Sequence, residues 1–498
     1  MRRLALFVLL TGGLVACTSL LGDFSVEPGA GTGGLDGGDV AEAGADGADD
    51  APAGDAPVDG PIEVPQPIPV AVAANSLATC ATVVYLRGTP NERAITFCWG
   101  AAGDSRAFLG AEPDDPTYDG FSRPRVPKTN PPQHLTFDQL GGNARGLAFL
   151  GRVAVGSQAG QATPYCWGGN SQAECGQPAG AGGTVIPPTP LVLPGGGGIR
   201  MESGSLAPYH GCLTTNGSLL CWGQNNWCEV RSGATSECNA KDPQNPFVRF
   251  VEDQMNGVIG APDSNGQPAY RVDRFAGGYD HSCVVMRKAG AVEAYVACWG
   301  RNNHDQTGQG VATSFVDDPS SVAGTVSPQG AASIELSSGA EHTCAIVGKS
   351  QLVCWGRNDK GQAGPGKPAP APPAPVSLPA VVPGSLGGLA LGGDTSCFVT
   401  TIAGGARATC FGDESGPLGR APADVSKDFA FVDGIKDVVQ IAVGGEHACA
   451  IARGVTQGAS SPHSLFCWGK NDRRQIAPSS TVQVFPTPHR VLFPTSPQ

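Results

Sequence analysis

The stretch that most constrains how this chain can fold is residues 212–223, Cys-Leu-Thr-Thr-Asn-Gly-Ser-Leu-Leu-Cys-Trp-Gly. Asn-Gly between two strand-like runs predicts a two-residue hairpin turn, because both turn positions need positive φ. That turn fixes the register, so Thr215 faces Ser218 and Cys212 faces Cys221 at a non-hydrogen-bonded pair. The Cα atoms of such a pair lie about 4.5 Å apart, which a disulfide tolerates. We therefore expect the hairpin to carry its own disulfide.

The end of this hairpin recurs along the chain. Cys-Trp-Gly occurs at 98–100, 166–168, 221–223, 298–300, 354–356 and 467–469, and Cys-Phe-Gly at 410–412. Successive first cysteines are 68, 55, 77, 56, 56 and 57 residues apart, so seven units share a period near 56 with two longer spacings. A period of this size, made of short strands and turns, predicts an all-β fold of the β-propeller type.

The best-formed unit lies at residues 338–364. It contains Gly339-x-x-His342-Thr343, then Cys354-Trp355-Gly356-x-Asn358, then Gly361-Gln362-x-Gly364. This pattern resembles the repeat of the regulator of chromosome condensation family, over roughly residues 70–490. The resemblance implies a seven-bladed propeller of four-stranded blades, which we assign to residues 67–498. The relatives most similar in pattern are secreted bacterial proteins with Cys before Trp-Gly.

The histidines and tryptophans of the repeats invite a catalytic interpretation. His210, His281, His342 and His447 hold the Gly-x-x-His position, whereas Ala78 and Thr395 replace it elsewhere. A catalytic group is needed once, so one histidine per unit at a fixed strand position favours a structural hydrogen bond. The same reasoning predicts that Trp99, Trp167, Trp222, Trp299, Trp355 and Trp468 pack between blades.

Sixteen of the seventeen cysteines, all except Cys17, fall into local pairs. The pairs predicted from the hairpins are Cys80/Cys98, Cys212/Cys221, Cys283/Cys298, Cys344/Cys354, Cys397/Cys410 and Cys449/Cys467. The second unit has Leu147-Ala148-Phe149 where a partner is expected, so Cys175 could pair with Cys166, and Cys228/Cys238 close a separate loop. Sequence alone does not fix this connectivity. Free thiols of a cytosolic protein, or a metal site built on His342, Cys344 and Cys354, are the alternatives.

The N-terminus has the features of an export signal. Residues 1–16 begin Met1-Arg2-Arg3 and continue with an apolar run too short to span a bilayer. Leu14-Val15-Ala16-Cys17 resembles the bacterial lipobox, which implies cleavage before Cys17 and diacylglycerol on its thiol. An ordinary secretory peptide with an incidental cysteine is the alternative. Thr18 is not the Asp that retains bacterial lipoproteins in the inner membrane, so we expect the outer membrane.

Residues 17–66 form a low-complexity acidic segment that we expect to be a disordered tether. It holds eleven acids and no Lys or Arg. Without Arg2 and Arg3, 30 basic residues face 44 acids, and removal of the tether leaves about −3 on the repeats. A nearly neutral body without a basic cluster offers no footprint for phosphates, so nucleic acid is not an expected partner.

The closing segment 484–493 is strand-like, and the opening segment 68–72 begins within a unit. We expect these two ends to complete one blade between them and so to close the ring.

The two long spacings both leave the repeat just after Cys-Trp-Gly, so they should emerge on one face of a propeller. The first excursion passes Tyr118 and Phe121, and the second begins with Trp227 and Cys228. A disulfide-held loop with an aromatic side chain is typical of a binding anchor. Trp227, Tyr118 and Phe121 are therefore the candidate binding residues, and a neutral surface insertion is the alternative.

No catalytic, metal-binding or cofactor-binding motif emerges from the sequence. Residues 361–367 come near a phosphate loop, but Pro368 stands where Ser or Thr must reach Mg²⁺. We expect a monomeric, non-enzymatic lipoprotein of the cell envelope that binds a protein or glycan through one propeller face. The alternatives are an envelope hydrolase or lyase with its site at the channel mouth, and an inhibitor of a secreted enzyme.

Overall fold

A computed structural model describes residues 66–100, 109–111, 120–126, 133–142, 148–153, 163–177, 185–191, 199–215, 217–230, 247–249, 270–288, 290–322, 333–378, 385–421, 428–458 and 460–495. All of them belong to one compact unit, Glu63–Gln498. The predicted signal peptide, Cys17 and nearly all of the predicted tether lie outside the described residues. In the described ranges, no helix combines the length and the hydropathy of a membrane span.

The described residues form seven antiparallel sheets in chain order, which we call blades 1 to 7. Blade 1 contains β1 (Ile68–Ala74), β2 (Ala78–Tyr85) and β3 (Arg93–Gly100), and a small hairpin follows, β4 (Arg125–Val126) and β5 (Gln133–His134). Blade 2 contains β6 (Phe137–Gly142), β7 (Ala148–Val153), β8 (Pro164–Gly169) and β9 (Val185–Pro190). Blade 3 contains β10 (Ser203–Leu206), β11 (His210–Thr215), β12 (Ser218–Gly223) and β13 (Phe247–Arg249).

The remaining blades repeat the same order. Blade 4 contains β14 (Tyr270–Gly277), β15 (His281–Lys288), β16 (Ala294–Arg301) and β17 (Phe315–Ser321). Blade 5 contains β18 (Ile334–Ser338), β19 (His342–Val347), β20 (Gln351–Gly356) and β21 (Ala371–Pro375). Blade 6 contains β22 (Ser385–Gly392), β23 (Thr395–Ile402), β24 (Gly405–Gly412) and β25 (Ala430–Phe431). Blade 7 contains β26 (Ile435–Val443), β27 (His447–Gly454), β28 (Ser464–Lys470) and β29 (Val484–Arg490).

The predicted seven-bladed β-propeller is confirmed. The first strand of each blade packs against the first strands of both neighbouring blades, and β26 meets β1, so the ring is closed. Blades 2 to 7 each have four strands in sequence order. In blade 1 the fourth position is held by a single bridge, in which Ser122 exchanges two 2.8 Å backbone hydrogen bonds with Cys98.

The prediction that the two chain ends share one blade is wrong. All four strands of blade 7 come from the C-terminal part of the chain, and β1 belongs to blade 1. The ring closes by packing instead: Phe493, which follows β29, lies against Phe97, Trp99 and Phe121 of the blade 1 region. The Tyr85 hydroxyl also donates to the Pro494 carbonyl at 2.6 Å. The C-terminal residues thus seal the interface without joining a sheet.

The hydrophobic core is divided among the blade interfaces. The described residues contain seven apolar clusters, and each combines side chains of two adjacent blades. Each cluster includes one aromatic residue of the Cys-Trp-Gly or Cys-Phe-Gly sequence. These residues are Trp99, Trp167, Trp222, Trp299, Trp355, Phe411 and Trp468, and all are at most 1% exposed. The predicted packing role of the repeated tryptophans is confirmed.

The predicted hairpin register is also confirmed. Thr215 pairs with Ser218 and Cys212 with Cys221, whose Cα atoms are 4.1 Å apart. Seven disulfides lie within the described residues: Cys80–Cys98, Cys166–Cys175, Cys212–Cys221, Cys283–Cys298, Cys344–Cys354, Cys397–Cys410 and Cys449–Cys467. In blade 2 the residue opposite Cys166 is Leu150, so Cys166 bonds to Cys175 in the following turn. Cys228 is disulfide-bonded as well, but Cys238 lies outside the described residues.

The glycine after each repeat aromatic is required by the backbone. Gly356 has φ +102°, and a Cβ there would lie 2.6 Å from the Glu341 carbonyl oxygen. The same conformation recurs at Gly100, Gly168, Gly223, Gly300, Gly412 and Gly469, with φ between +104° and +123° except +100° at Gly300. Only glycine adopts this region readily. The third strand of the blade can therefore end at this glycine, where its backbone passes close to the residue before the second strand.

A repeated hydrogen-bond relay links the blades. His342 of blade 5 bonds through Nε2 to the Ser396 hydroxyl of blade 6 at 2.9 Å. That hydroxyl donates back to the Gln362 carbonyl of blade 5 at 2.8 Å. His210–Ser282, His281–Thr343 and His447–Thr79 repeat the first bond at 2.8–2.9 Å, and Ser282 and Thr79 repeat the second. The histidines are thus structural, as predicted.

The relay fixes the protonation of its histidines. The Ser396 hydroxyl has one proton, which it donates to Gln362, so His342 must donate from Nε2. Nδ1 is then the unprotonated nitrogen, and it is buried without a partner among the described residues. Burial lowers the pKa of His342 to about 3, and the pKa values of His210 and His281 to about 3 as well. These imidazoles stay neutral at physiological pH.

Histidine and hydroxyl are retained or lost together. At the three interfaces without a relay, the histidine position holds Ala78, Ala148 or Thr395, as its strand register shows. The hydroxyl position of the following blade then holds Phe149, Gly211 or Ala448, respectively. An unpartnered buried polar group is costly, which explains why neither half of the relay occurs alone.

Substitution of Gly356 tests the backbone requirement. Gly356→Ala should lower the free energy of unfolding by more than about 3 kcal/mol, because φ strain adds to a backbone clash. Gly366→Ala is the matched control, since Gly366 has φ +76° but open space around its Cβ position. The control should cost about 1 kcal/mol. Equal costs in urea unfolding would show that the close approach to Glu341 does not matter.

A double-mutant cycle tests the relay. His342→Ala should cost about 2–4 kcal/mol, and combination with Ser396→Ala should reveal a coupling energy of roughly 1–3 kcal/mol. His342→Ala combined with Thr79→Ala, a relay hydroxyl of another interface, should be additive within about 0.5 kcal/mol. Additivity of the His342/Ser396 pair would contradict the relay.

Candidate functional site

The turns before the histidine position and the loops after Trp-Gly open at the same end of every blade. The register pairs His210 with Gly223 and His342 with Gly356 at this end. We call it the loop face. The two long excursions predicted from the sequence both begin here, after Gly100 and Gly223, although most of their course lies outside the described residues. The hairpin turns between second and third strands lie at the opposite face.

Five loops on this face, those after blades 2, 3, 4, 5 and 7, are each organised by an Asn and a Gln or Glu. Asn358 accepts the Ala363 N–H through Oδ1 at 2.8 Å, and Gln362 accepts the Lys360 N–H through Oε1 at 2.8 Å. The Asn bond recurs at Asn170, Asn225, Asn302 and Asn471, at 2.9–3.1 Å. The bond of the Gln position recurs at Gln306, Gln475, Glu174 and Glu229, at 2.6–2.8 Å. The motif residues therefore shape loops, and no catalytic chemistry is needed to explain them.

The backbone carbonyl of the residue at the Gln position also accepts a hydrogen bond from the next blade. Trp355 donates through Nε1 to the Gln306 carbonyl at 3.0 Å, and Trp299 does so to the Glu229 carbonyl at 3.1 Å. Trp222 reaches the Glu174 carbonyl at 2.7 Å in the same way. In these three loops, loop conformation and blade packing are consequently tied to one backbone atom.

Ion pairs line the loop face. The acid before the histidine pairs with the base after Trp-Gly: Asp280 with Arg301 at 3.1 Å and Glu341 with Arg357 at 2.9 Å. Glu446 and Lys470 repeat the pair in blade 7. In blade 3 these two positions hold Tyr209 and Gln224 instead. The face is thus internally neutralised where the pairs occur, and blade 3 differs from blade 4 by its uncharged side chains.

Aromatic side chains cluster where blades 3 and 4 meet on this face. Trp227 is half-buried, and the Arg301 guanidinium lies over its ring, 5.4 Å from the centroid. Tyr209 and Tyr279 are also half-buried, with edge-to-face rings 5.1 Å apart and hydroxyls bonded at 2.7 Å. We call Trp227, Arg301, Tyr209 and Tyr279 the blade 3–4 patch. Trp, Tyr and Arg are the side chains enriched at the energetic centres of protein interfaces.

The predicted binding residues do not form one site. Trp227 is on the loop face, as expected of an anchor. Phe121 is 2% exposed, because it packs edge-on against Trp99 with ring centroids 5.1 Å apart. Its candidacy as an exposed binding residue is therefore wrong, and it belongs to the core of the blade 7–1 interface. Tyr118 and the lipid-anchor cysteine Cys17 lie outside the described residues.

Sequence reasoning missed Tyr209, Tyr279, Arg301 and Glu229. Tyr209 and Tyr279 lie one and two residues before His210 and His281, and the repeat pattern marks the histidines rather than the tyrosines. Glu229 lies in the position that Gln306, Gln362 and Gln475 fill in other loops, which is a signal that alignment of the units would have revealed. No group of three or more His, Cys, Asp or Glu side chains that could hold a metal occurs in the part of the chain that the structure describes.

Comparisons with known proteins agree with this geometry. A family profile for the Regulator of chromosome condensation (RCC1) repeat matches residues 334–362, which span blade 5 from β18 to Gln362. The human E3 ubiquitin-protein ligase HERC2 is 25% identical over 301 residues, which are 60% of this chain. The mouse protein matches equally. The aligned stretch is only 5% of the length of these relatives.

Solved structures share the fold at low sequence identity. Human WBSCR16 superimposes with TM-score 0.53 and 20% identity, over 80% of this chain and 90% of that one. Prp20p from Saccharomyces cerevisiae also gives TM-score 0.53, with 17% identity over 79% of this chain and 85% of that one. The seven interlocked blades, the repeat pattern and these comparisons lead to one conclusion: the chain is an RCC1-like repeat protein that folds as a seven-bladed β-propeller.

Proposed function

We propose that this protein is a non-enzymatic, lipid-anchored component of the bacterial cell envelope that binds a protein partner through its loop face. The observation that carries the proposal is the blade 3–4 patch. It offers Trp, Tyr and Arg side chains, half-buried and already ordered, on a face whose neighbouring charges are paired. Preordered aromatic side chains lose little conformational entropy on binding.

Interface composition favours a protein over a glycan. Arg301 is shared between the Trp227 ring and the Asp280 carboxylate, so it can bond an incoming carbonyl while staying in place. The Trp227 backbone is fixed by its N–H bond to Glu229. The structural neighbour Prp20p is described with binding properties to Gsp1p and histones, which shows that a propeller of this fold can serve protein binding.

The strand directions suit an anchored protein. β1 runs from Ile68 at the face opposite the loops to Ala74 at the loop face. A lipid on Cys17 and the tether predicted over residues 17–66 would therefore join the propeller at the opposite face. A flexible tether joined at that face would leave the loop face free for a partner.

Site-specific crosslinking tests the binding face. A photoreactive amino acid at Asn226, which is exposed beside Trp227, should give a protease-sensitive adduct in intact cells. The same group at Val292, which is 64% exposed on the opposite face, should not. Trp227→Ala should weaken the interaction by about 2 kcal/mol or more, roughly 30-fold, without unfolding the protein.

Three results would oppose this assignment. They are equal adducts at both positions, an adduct unaffected by Trp227→Ala, and a protease-resistant adduct that a glycosidase removes, which would identify a glycan.

Substitution of Cys17 tests the anchor separately. Cys17→Ser should abolish incorporation of a labelled fatty acid and release the protein from the membrane fraction, because the thiol that carries the lipid is gone. Thr18→Ser is the matched control and should remain labelled and membrane-bound. Labelled Cys17→Ser protein in the membrane fraction would contradict lipid anchoring.

A further inference from the structure

Glu229 occupies a loop position that holds an amide in three other blades and a second carboxyl, Glu174, in blade 2. In blades 4, 5 and 7 the equivalent side chains are Gln306, Gln362 and Gln475. Each accepts a backbone N–H through Oε1 at 2.8 Å and donates from Nε2 to an Asn or Asp oxygen at 3.1–3.3 Å. Glu229 makes the accepting bond, from the Trp227 N–H at 2.6 Å. Its other oxygen, Oε1, accepts as well, from Gln224 Nε2, where the glutamines donate.

The surroundings also oppose a charge on Glu229. The residue is fully buried, no cation pairs with it among the described residues, and Asp280 lies close by: Gln224 Nε2, which donates to Glu229 Oε1 at 3.3 Å and so favours the carboxylate, is also 3.5 Å from Asp280 Oδ1. Asp280 is paired with Arg301, so that cation is already used by another carboxylate. Burial first, and then the Asp280 charge, raise the pKa of Glu229 to about 8, against hydrogen bonds that lower it.

The Glu229 carboxyl also fixes the backbone of Trp227, the candidate binding residue. Its oxygen fixes the Trp227 backbone, and the Glu229 carbonyl accepts from Ser282 at 2.7 Å and from Trp299. The titratable groups around it are Asp280, Arg301 and Tyr209, and burial raises the pKa of Tyr209 to about 12. The pKa of Asp280 is also raised by burial, although Arg301 opposes that rise. With a pKa of about 12, Tyr209 stays uncharged in the pH range of the Glu229 titration.

We propose that Glu229 is a proton-dependent latch for the Trp227 loop. Its neutral carboxyl holds the loop against blade 4, and its ionisation next to Asp280 loosens residues 224–230. The inference rests on the proposed binding role of Trp227 for its biological meaning. Partner binding would then weaken in a mildly alkaline medium and strengthen as the pH falls.

The effect on stability has a definite sign. The folded protein holds the Glu229 proton to a higher pH than the unfolded chain does, whose carboxyl has an ordinary pKa. Stability therefore falls as the pH rises from about 4.5 to about 8, and the contribution is constant above that. Glu229→Gln keeps the amide pattern of the other blades and removes the titration. The folding equilibrium constant of Glu229→Gln relative to wild type should grow by up to roughly 10³-fold across this interval.

The decisive experiment needs no partner. Hydrogen exchange of the peptide covering 224–230 is compared between wild type and Glu229→Gln at pH 6, 7, 8 and 9, since the variant corrects for the intrinsic pH dependence of exchange. The ratio of wild-type to variant exchange rates should rise at least tenfold between pH 6 and pH 9, because only the wild-type side chain loses a proton. Gln306→Glu, which places a carboxyl in the equivalent position of blade 4, should create a similar pH dependence in its own loop.

Parallel exchange of wild type and Glu229→Gln at every pH would overturn the latch, as would a pH-independent difference. Should Glu229→Gln fold poorly, the Gln306→Glu protein still decides whether a carboxyl in this position titrates. Loss of crosslinking at Asn226 tests the binding face alone, so failure of the latch and failure of the proposed function are distinguishable.

Discussion

The backbone carbonyl at the Gln position of five loops, those after blades 2, 3, 4, 5 and 7, is the atom through which neighbouring blades recognise one another. At Glu229 it accepts the Ser282 hydroxyl and the Trp299 indole of the next blade together. The Ser282 hydroxyl in turn accepts a hydrogen bond from the His210 imidazole, which lies in the same blade as the carbonyl. Between blades the described residues otherwise make apolar contacts and scattered hydrogen bonds, such as the one from the Ala340 N–H to the Gly393 carbonyl at 2.9 Å. A directional bond at this point therefore sets how each blade is rotated onto the next.

This arrangement explains why the motif residues vary in pairs. The histidine and its hydroxyl are 54 to 72 residues apart in sequence at three interfaces and 368 apart where blade 7 meets blade 1, yet neither is useful alone. Where Ala78 replaces histidine, Phe149 fills the space of the hydroxyl in the following blade. Loss of the histidine and the hydroxyl is thus a property of the interface between two units. Blade 2 lacks the relay at both of its interfaces, and it has the disulfide Cys166–Cys175 in place of the hairpin disulfide.

Local features were predictable from sequence, and features set by ring closure were not. The register of Cys212 and Cys221 follows from one turn, because side-chain alternation leaves no freedom once the turn is fixed. The core position of Phe121 depends on Phe493, which is brought to it only when the last blade meets the first. The blade 3–4 patch likewise combines Tyr209 and Trp227 with Tyr279 and Arg301 of the next unit. Sequence shows each residue, but only the packing of two blades joins them.

Nitrogen NMR of the imidazole rings tests the central account most directly. The eight histidines should divide into two groups in uniformly labelled protein. The four relay histidines should be neutral and unchanged between pH 8 and pH 5, with the proton of His210, His342 and His447 on Nε2 and Nδ1 bare. Relay imidazoles that titrate near pH 6.5, as solvent-exposed histidines do, or that carry the proton on Nδ1, would contradict a ring held by these bonds.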